Sequence, residues 1–446
     1  MTTLVWLRND LRLRDNPALH EAAKDPQGLV VLYLLDEESP EIRPLGGATR
    51  WWLHQSLSRL ADSLDGHDIP LILRRGAADE VLPAVQSECG ADRVLWNRRY
   101  SAARSIDEGL TERFADEGVE SESFCGGLLF EPWTIRTQSG GPYRVYSPFW
   151  RACLEADEPE PPLPEPSAWR AAARQPRSDR LDDWALEPRK PNWAVEIAER
   201  WTPGEAAAAE KLDHFLSSPA SDYRKGRDSP ADGATSELSA HLRWGEISPR
   251  TVWHAARSIE GDAEVFLSEI GWREFAWHTA YHNEPLHQTP LDRRFEQFPW
   301  DAPNEDELDA WRRGETGFGL VDAGMRELWR TGYMHNRVRM VAASLLTKNL
   351  LIDWRIGEAW FWDTLVDADE ASNPFNWQWV AGCGADAAPY FRIFNPLTQQ
   401  RRFDPDEVYV NRWAPDSGDL EELIDVKASR QRALAAYDSI KGVSAS

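Results

Sequence analysis

The hydrophobic pattern of the chain changes once, and that change limits the folds that its 446 residues can adopt. The first part alternates short, almost continuous apolar runs with segments of helical period; the apolar runs are TLVWL, GLVVLYLLD, PLILRRG and DRVLWNRR. Strands of this kind are buried on both faces, and strands that alternate with helices form a parallel sheet covered by those helices. We therefore predict an α/β domain over residues 1–130.

After residue 200 the strand patterns nearly disappear. Segments such as AEVFLSEIGWREFAWHTAYH and HNRVRMVAASLLTKNLL repeat apolar residues three or four positions apart, which is typical of α-helices. This predicts an all-helical domain over residues 201–435 and a short tail over 436–446. Residues 131–200 are expected to connect the domains, and the Pro-rich, acidic text after residue 155 favours a plain linker, wrapped on the surface or extended.

The charge of the chain bears on its partners, because 74 acidic side chains face 50 basic ones and the formal net charge is −24. Nucleic-acid-binding proteins usually present a basic face, so this balance normally argues against such a partner. A local basic patch can nevertheless persist in an acidic protein. Adaptation to high salt would explain the same acidity. The charge therefore does not exclude DNA.

The cysteines and the hydropathy of the chain indicate a cellular setting. Cys89, Cys125, Cys153 and Cys383 form no CxxC pair and no His/Cys cluster, which fits reduced thiols and predicts no metal site. The N-terminal residues lack the order of a signal peptide, and no apolar run approaches the length of a membrane span. We expect a soluble, cytoplasmic protein without a membrane partner.

Familiar catalytic loops are absent, since the sequence contains no G-x-S-x-G elbow, no Walker A loop and no GxGxxG after the first strand. In the helical half, Thr235, Ser236 and Ser239 stand at the expected start of a helix, where N–H groups and hydroxyls can hold an anion. Simple helix capping would explain the same three residues. Arg339 needs a carboxylate partner if it is buried, and Asp367 is a candidate.

Tryptophan is unusually frequent, with 23 residues in the chain. Trp300, Trp354 and Trp377 lie in segments of different pattern, and core packing would explain any one of them. Trp377 and Trp379 are two positions apart. On a helix such residues point about 200° away from each other, so the two indoles cannot share a face.

Long segments spread over nearly the whole chain resemble the photolyase/cryptochrome family. They are VWLRNDLRLRDNPAL, DGATSELSAHLRWGEISPR, GWREFAW, TGFGLVDAGMRELWRTGYMHNRVRM, DWRIGEAWFWDTLVDADEASN, NWQW and DAAPYFRIFNP. The resemblance implies an α/β antenna domain followed by a helical domain that holds FAD. It is greatest to the cyclobutane pyrimidine dimer (CPD) photolyases, monomeric lyases in which light-excited, reduced FAD transfers an electron to UV-damaged DNA.

By position in these motifs, the resemblance implies a FAD site. The matching residues are Tyr223, Thr235, Ser236, Leu238, Ser239, Arg273, Asn336, Arg339, Asp367, Asp369 and Asn373. The family's glycine before the Thr-Ser pair is Ala234 here, which is tolerable if the backbone at Ala234 keeps a negative φ. Asn373 matches the position that faces the flavin N5, where an amide can donate or accept a hydrogen bond without bringing a charge.

The resemblance also implies residues for electron transfer and for the lesion. Trp377, Trp354 and Trp300 match an electron-transfer triad, with Trp311 as the alternative to Trp300 at its outer end. Trp272 and Trp379 match a pair of tryptophans that cradles the flipped dimer. The other matches to DNA or lesion contacts are Arg227, Glu269, Asn336, Arg337, Met340, Arg392 and Gln399.

Alternatives within the family differ at a few positions. The (6-4) class has a second histidine where this chain has Asn336, which argues against that class. A cryptochrome that senses blue light and signals through a protein partner is the main alternative, and Trp272, Trp379 and Asn373 favour repair over it. The second, antenna chromophore of the family is methenyltetrahydrofolate, a deazaflavin, a second flavin or none, and no residue set chooses among them.

Overall fold

The structure is a computed structural model that describes residues 1–217, 223–258, 263–283, 285–387 and 391–442. Over these residues the strands are β1 (Thr3–Leu7), β2 (Leu29–Leu35), β3 (Leu71–Arg75), β4 (Arg93–Asn97) and β5 (Glu120–Phe124). They form one parallel sheet in the order β3-β2-β1-β4-β5. The sequence predicted β1 to β4 but missed β5, whose polar sequence ESESF is half exposed at the sheet edge and therefore lacks an apolar run.

Helices cover both faces of this sheet, as a parallel sheet requires. They are α1 (Pro17–Ala22), α2 (Gly47–Asp65), α3 (Ala78–Cys89) and α4 (Arg104–Asp116). Helix α1 begins as its sequence predicts, because the Asn16 side chain accepts from the N–H of Leu19 and Pro17 occupies the first turn. The core on one face of the sheet also includes Trp201 and Trp244, so it continues into the helical half of the chain.

The segment between the two domains is ordered and contains helices α5 (Tyr146–Glu155) and α6 (Val195–Arg200), with a 3-10 turn at Leu181–Trp184. Part of it lies against the sheet, where Ala171 forms a parallel bridge with Leu29. The helix α5 was not expected from the sequence. It presents Tyr146 to Trp272 of the helical domain.

The remaining α-helices of the described chain lie after residue 200. They are α7 (Glu205–Ser217), α8 (Tyr223–Gly226), α9 (Ser239–Trp244), α10 (Pro249–Arg257), α11 (Ala263–Asn283), α12 (Glu305–Arg313), α13 (Gly319–Thr331), α14 (Asn336–Ser344), α15 (Trp354–Thr364), α16 (Ser372–Ala381), α17 (Pro396–Phe403), α18 (Val408–Trp413) and α19 (Val426–Ile440). Helix α19 continues past residue 435 into the predicted tail, of which residues 443–446 lie outside the described part. None of the described helices combines the length and the apolar character that crossing a membrane requires.

Helices α15 and α16 pack closely against each other in the helical domain. A Cβ on Gly357 would lie 2.2 Å from Cη2 of Trp377, so the absence of a side chain at residue 357 lets the two helices approach. The indole of Trp377 fills the space and is 2% exposed.

A buried carboxylate on helix α11 binds the backbone of the segment that follows strand β5. Glu274 Oε2 accepts hydrogen bonds from the backbone N–H groups of Leu129 (2.9 Å) and Phe130 (3.2 Å), and the Arg273 guanidinium lies 3.3 Å from Glu274 Oε1. Burial raises the pKa of Glu274 to about 7, although Arg273 and the two N–H groups oppose this shift.

This pKa makes the stability of the fold depend on pH. From about pH 4.5, the ordinary value, to about pH 7 the folded state binds the Glu274 proton more tightly than the unfolded state, so the free energy of unfolding should fall as pH rises. The Glu274→Gln variant cannot ionise at this position. Between these pH values its free energy of unfolding should therefore fall less than that of wild type, by up to about 3 kcal/mol. Urea unfolding across this range checks the effect, with a Glu112→Gln substitution at an exposed position of helix α4 as the control. Equal pH slopes in wild type and Glu274→Gln would contradict the assignment.

Candidate functional site

A cavity of about 430 Å³ lies within the helical domain, a size typical of small-molecule sites. Most of the residues singled out from the sequence line it. They are Tyr223, Arg227, Ser236, Leu238, Ser239, Glu269, Trp272, Arg273, Asn336, Arg337, Arg339, Met340, Asp367, Asp369, Asn373, Trp377 and Trp379. Six others do not line it: Thr235, Trp300, Trp311, Trp354, Arg392 and Gln399. Residues far apart in sequence thus line one cavity.

The turn before helix α9 forms one end of the cavity. Positive φ values there fall on Gly233 (60°) and Glu237 (50°) and not on Ala234, so the condition for tolerating alanine in place of glycine is met. The carboxylate of Glu237 binds the Arg200 guanidinium at 2.7 Å and the Lys211 ammonium at 3.0 Å. These two cations hold a left-handed residue in the turn that carries Ser236 and Leu238. Sequence reasoning missed Glu237, because a left-handed glutamate has no local signature.

Thr235 points away from the cavity. Its hydroxyl lies 3.4 Å from the hydroxyl of Tyr333, whereas Ser236 and Ser239 line the cavity directly. Leu238 precedes helix α9 and forms no side-chain cap. Ser236 Oγ accepts a long hydrogen bond from the backbone N–H of Leu238 at 3.4 Å, so its hydroxyl can still donate to a ligand. No side chain caps helix α9, so the Ser239 hydroxyl at the cavity is not used as a cap.

An ion pair forms part of the wall, as the sequence predicted. The Arg339 guanidinium donates to both carboxylate oxygens of Asp367, at 3.1 and 2.9 Å, and its Nε donates to the backbone oxygen of Met334 at 2.7 Å. Asp367 is 9% exposed, so the bidentate geometry satisfies a nearly buried charge. The partnership of Arg339 and Asp367 is confirmed.

Two further arginines at the cavity are already paired with carboxylates. Arg227 Nη1 donates to Glu269 Oε1 at 2.6 Å, and Arg337 Nε donates to Asp228 Oδ1 at 2.7 Å. Burial raises the pKa of Glu269, and Arg227 opposes this effect. An anionic ligand at this wall would share these guanidinium groups with the carboxylates.

Two half-buried indoles face the same space from different helices. Trp272 on α11 stacks on Tyr146 of α5, with ring centroids 3.7 Å apart and planes at 11°. Trp379 on α16 packs beside Phe394 at 6.4 Å and under the exposed guanidinium of Arg392 at 5.2 Å. One face of Trp272 is thus supported from behind by α5, a contact that the sequence did not indicate.

Trp377 faces the cavity and also packs into the protein core. Its ring meets Phe361 edge-on at 4.9 Å and Trp311 at 6.3 Å, whereas the neighbours of Trp379 are different residues. The predicted divergence of Trp377 and Trp379 on one helix is confirmed. The contact with Trp311 was not expected, because the sequence offered Trp311 only as an outer member of a triad. It is fully buried beside Trp377.

The other two predicted triad members lie outside the cavity lining. Trp354 is fully buried, and Trp300 is half-buried against Phe298 with ring centroids 4.3 Å apart. Neither indole N–H has a hydrogen-bond partner within the described part of the chain.

A smaller cleft of about 100 Å³ lies at the carboxyl ends of β1 and β2. Ligands of open parallel sheets bind at such edges, near the point where the strand order reverses. In this sheet the reversal falls between β1 and β4. The lining includes Arg8, Arg99 and Arg243 together with Trp6 and Trp277, so the cleft offers cations and aromatic faces.

Comparisons with known proteins assign the chain to a family. Residues 3–167 match the family described as DNA photolyase, and residues 266–439 match the FAD binding domain of DNA photolyase. The chain is 45% identical to the deoxyribodipyrimidine photo-lyase of Agrobacterium fabrum, over 98% of both chains. The chain belongs to the photolyase/cryptochrome family. Its helical half therefore contains the FAD-binding domain of that family.

Both branches of the family are similar to this chain. The crystal structure of a bacterial class III photolyase from Agrobacterium tumefaciens superposes with a TM-score of 0.94 at 45% identity, covering 99% of this chain and 98% of that one. Cryptochrome-2 of Arabidopsis thaliana is 36% identical over 93% of this chain and 70% of its own length. The predicted two-domain fold of the photolyase/cryptochrome family is confirmed.

Proposed function

We propose that this chain repairs cyclobutane pyrimidine dimers in DNA, using light and its FAD cofactor. The observation that carries the proposal is that Trp272 and Trp379, both half-buried, line the same cavity as the residues that match the FAD site. Two aromatic faces can receive a dimer flipped out of the helix, and stacking offsets a cost of a few kcal/mol for unstacking it. Glu269 lines the same cavity and supplies a carboxylate for the edge of the flipped bases.

The cavity residues fit FAD by their chemistry. At one end the hydroxyls of Ser236 and Ser239 are donors for a diphosphate, and Arg273 and Arg339 bring positive charge. Elsewhere the lining includes apolar side chains such as Phe361, Leu365 and Val380, which exclude water from a flavin ring. Tyr223, Asn336, Asp367, Asp369 and Asn373 also line the cavity, so that, of the residues that match the family's cofactor site, Thr235 alone does not. When bound, reduced and excited by light, FAD supplies the electron that splits the dimer, and the protein supplies binding, orientation and electrostatics.

Tryptophans would carry electrons from the surface to the cofactor. We assign this role to Trp377, which lines the cavity, and to Trp354 and Trp300 beyond it, as the resemblance implies. The contact between Trp377 and Trp311 supports Trp311 as a further member of the path. Indoles are suited to this role because they are oxidisable.

Damaged DNA would approach at the arginine-bearing side of the cavity. Arg227 and Arg337 line the cavity, the exposed Arg392 lies over Trp379, and Met340 adds an apolar contact. Gln399 lies on α17 and is half-buried. Such a local cluster of arginines allows phosphate contacts despite the net charge of −24.

An oligonucleotide with one cyclobutane dimer tests the proposal. The reduced, FAD-loaded protein should restore the two pyrimidines under blue light and leave the lesion unchanged in darkness. An oligonucleotide with a (6-4) photoproduct is the matched substrate control and should not be repaired. If dimers persist although bound FAD responds to light, the repair proposal is wrong and the cryptochrome alternative is favoured.

The smaller cleft at the sheet edge would hold a second, antenna chromophore. Its arginines and tryptophans fit an aromatic anion, a chemistry shared by methenyltetrahydrofolate, deazaflavin and flavin chromophores. An absorption spectrum of the purified protein, with the released chromophores identified, decides among these three or none.

A further inference from the structure

The side-chain amide of Asn373 is held in one orientation by helix α15. Its Nδ2 donates to the backbone oxygen of Glu358 at 3.1 Å and to Glu358 Oε1 at 2.8 Å, which uses both N–H groups of the amide. A backbone oxygen can only accept, which favours the nitrogen of the amide on that side, and an ionised Glu358 carboxylate favours the same orientation. No donor among the described residues reaches Asn373 Oδ1, and Asn373 lines the cavity. The amide therefore offers the cavity a hydrogen-bond acceptor.

The charge of Glu358 determines whether this orientation is the only one. Glu358 is 1% exposed, and the Arg43 guanidinium binds its two oxygens at 2.7 and 2.9 Å. Burial raises the pKa of Glu358, whereas Arg43 and Asn373 oppose the shift. An ionised carboxylate only accepts hydrogen bonds, but a protonated one can donate to Asn373 Oδ1 and turn the amide around. Arg43 thus keeps Glu358 in the form that accepts from Nδ2.

Arg43 comes from the other domain, on the loop between β2 and α2, and this loop is docked firmly. The Arg43 guanidinium lies 4.1 Å from the centre of the Trp362 ring, and the indole N–H of Trp362 donates to the Pro44 oxygen at 2.9 Å. A Cβ on Gly46 would lie 2.1 Å from the Trp362 backbone oxygen, so a larger residue could not approach as closely. The loop therefore holds Arg43 at Glu358.

We propose that Arg43 is a positioning residue for the cofactor site, because it keeps Glu358 ionised and so directs Asn373 Oδ1 into the cavity. The proposal rests on the proposed function in taking Asn373 as the residue opposite the flavin N5. This ring nitrogen carries a proton in reduced flavin and a free lone pair in oxidised flavin. An acceptor at Asn373 then stabilises the reduced cofactor, which is the form that repair requires.

The midpoint potential of bound FAD tests this role. A general loosening of the fold does not determine this quantity. The Arg43→Met variant keeps an unbranched side chain against Trp362 but removes the charge. The equilibrium constant for reduction should fall at least tenfold, about 30 mV for a two-electron couple, with the affinity for oxidised FAD close to wild type. Glu358→Gln should lower the potential in the same direction, and the double variant should add little to the larger single effect.

Arg75→Gln is the matched control, because Arg75 pairs with Glu37 in the same domain and does not contact Glu358. An unchanged or raised potential in FAD-loaded Arg43→Met overturns the proposal. Should that variant fail to fold, an unchanged potential in the nearly isosteric Glu358→Gln overturns it equally. If the variants have lowered potentials but the protein repairs no dimers, only the proposed function is refuted. If the protein repairs dimers but the potentials of the variants are unchanged, only the role of Arg43 is refuted.

Discussion

The Trp379→Ala variant is expected to bind dimer-containing DNA far more weakly than wild type while it retains its FAD. The indole lines the cavity on the side where Arg392 and Phe394 lie, and its removal deletes one of two faces available to a flipped dimer. Stacking of a base on an aromatic side chain is worth about 1–3 kcal/mol, so the affinity should fall roughly 5- to 150-fold. Titration of a labelled oligonucleotide with one dimer measures the loss.

The control for this experiment is Trp329→Ala. Trp329 is 59% exposed on α13, where it stacks on Trp360 away from the cavity lining. This variant removes the same side chain from the surface and should bind the lesion as wild type does. Equal affinity of wild type and Trp379→Ala, with FAD loading unchanged in both, would show that Trp379 does not contact the lesion.

The Trp377→Phe variant is expected to lose light-driven reduction of its bound, oxidised FAD, by at least about tenfold in rate. Of the tryptophans in the described chain, Trp272, Trp377 and Trp379 line the cavity, and of these three only Trp377 is itself buried. Phenylalanine keeps much of the packing against Phe361 but is far harder to oxidise. Repair by protein that was chemically reduced beforehand should remain largely intact. Absorbance changes under blue light and a repair assay measure the two quantities separately.

A pair of further variants identifies the neighbour of Trp377 in this path. Trp354→Phe removes the member that the resemblance implies, and Trp311→Phe removes the indole that the structure places 6.3 Å away. The variant with the greater loss of photoreduction marks the main route. Photoreduction of Trp377→Phe at the wild-type rate would instead mean that electrons reach the cofactor without passing through Trp377.

Local patterns in the sequence were a reliable guide to the elements of the fold. The strands β1 to β4 were predictable because each is buried on both faces and reads as an apolar run. Strand β5 was not, because an edge strand with half-exposed residues carries no such run. Helix α5 was missed because the sequence around it was interpreted as part of a connector.

Some residues of the site could be identified from the sequence, and others could not. A buried arginine requires a carboxylate, so the sequence offered Asp367 as a candidate partner of Arg339, and the structure forms that pair. The cofactor and lesion residues came from the resemblance, and most of them do line one cavity. The sequence did not indicate that Tyr146 stacks on Trp272 or that Arg200 and Lys211 bind Glu237. Each of these contacts joins side chains more than 25 positions apart.

The sequence by itself determined the types of most of the elements, the division into an α/β and a helical domain, and the divergence of Trp377 and Trp379. Each of these follows from periodicity or from the geometry of a single helix, which neighbouring residues set. Only the tertiary structure decided that Trp311 packs beside Trp377 and that Arg43 reaches Glu358 across 315 positions of sequence. Such contacts depend on how the elements dock, and docking is set by the shape of whole packed surfaces rather than by any local pattern.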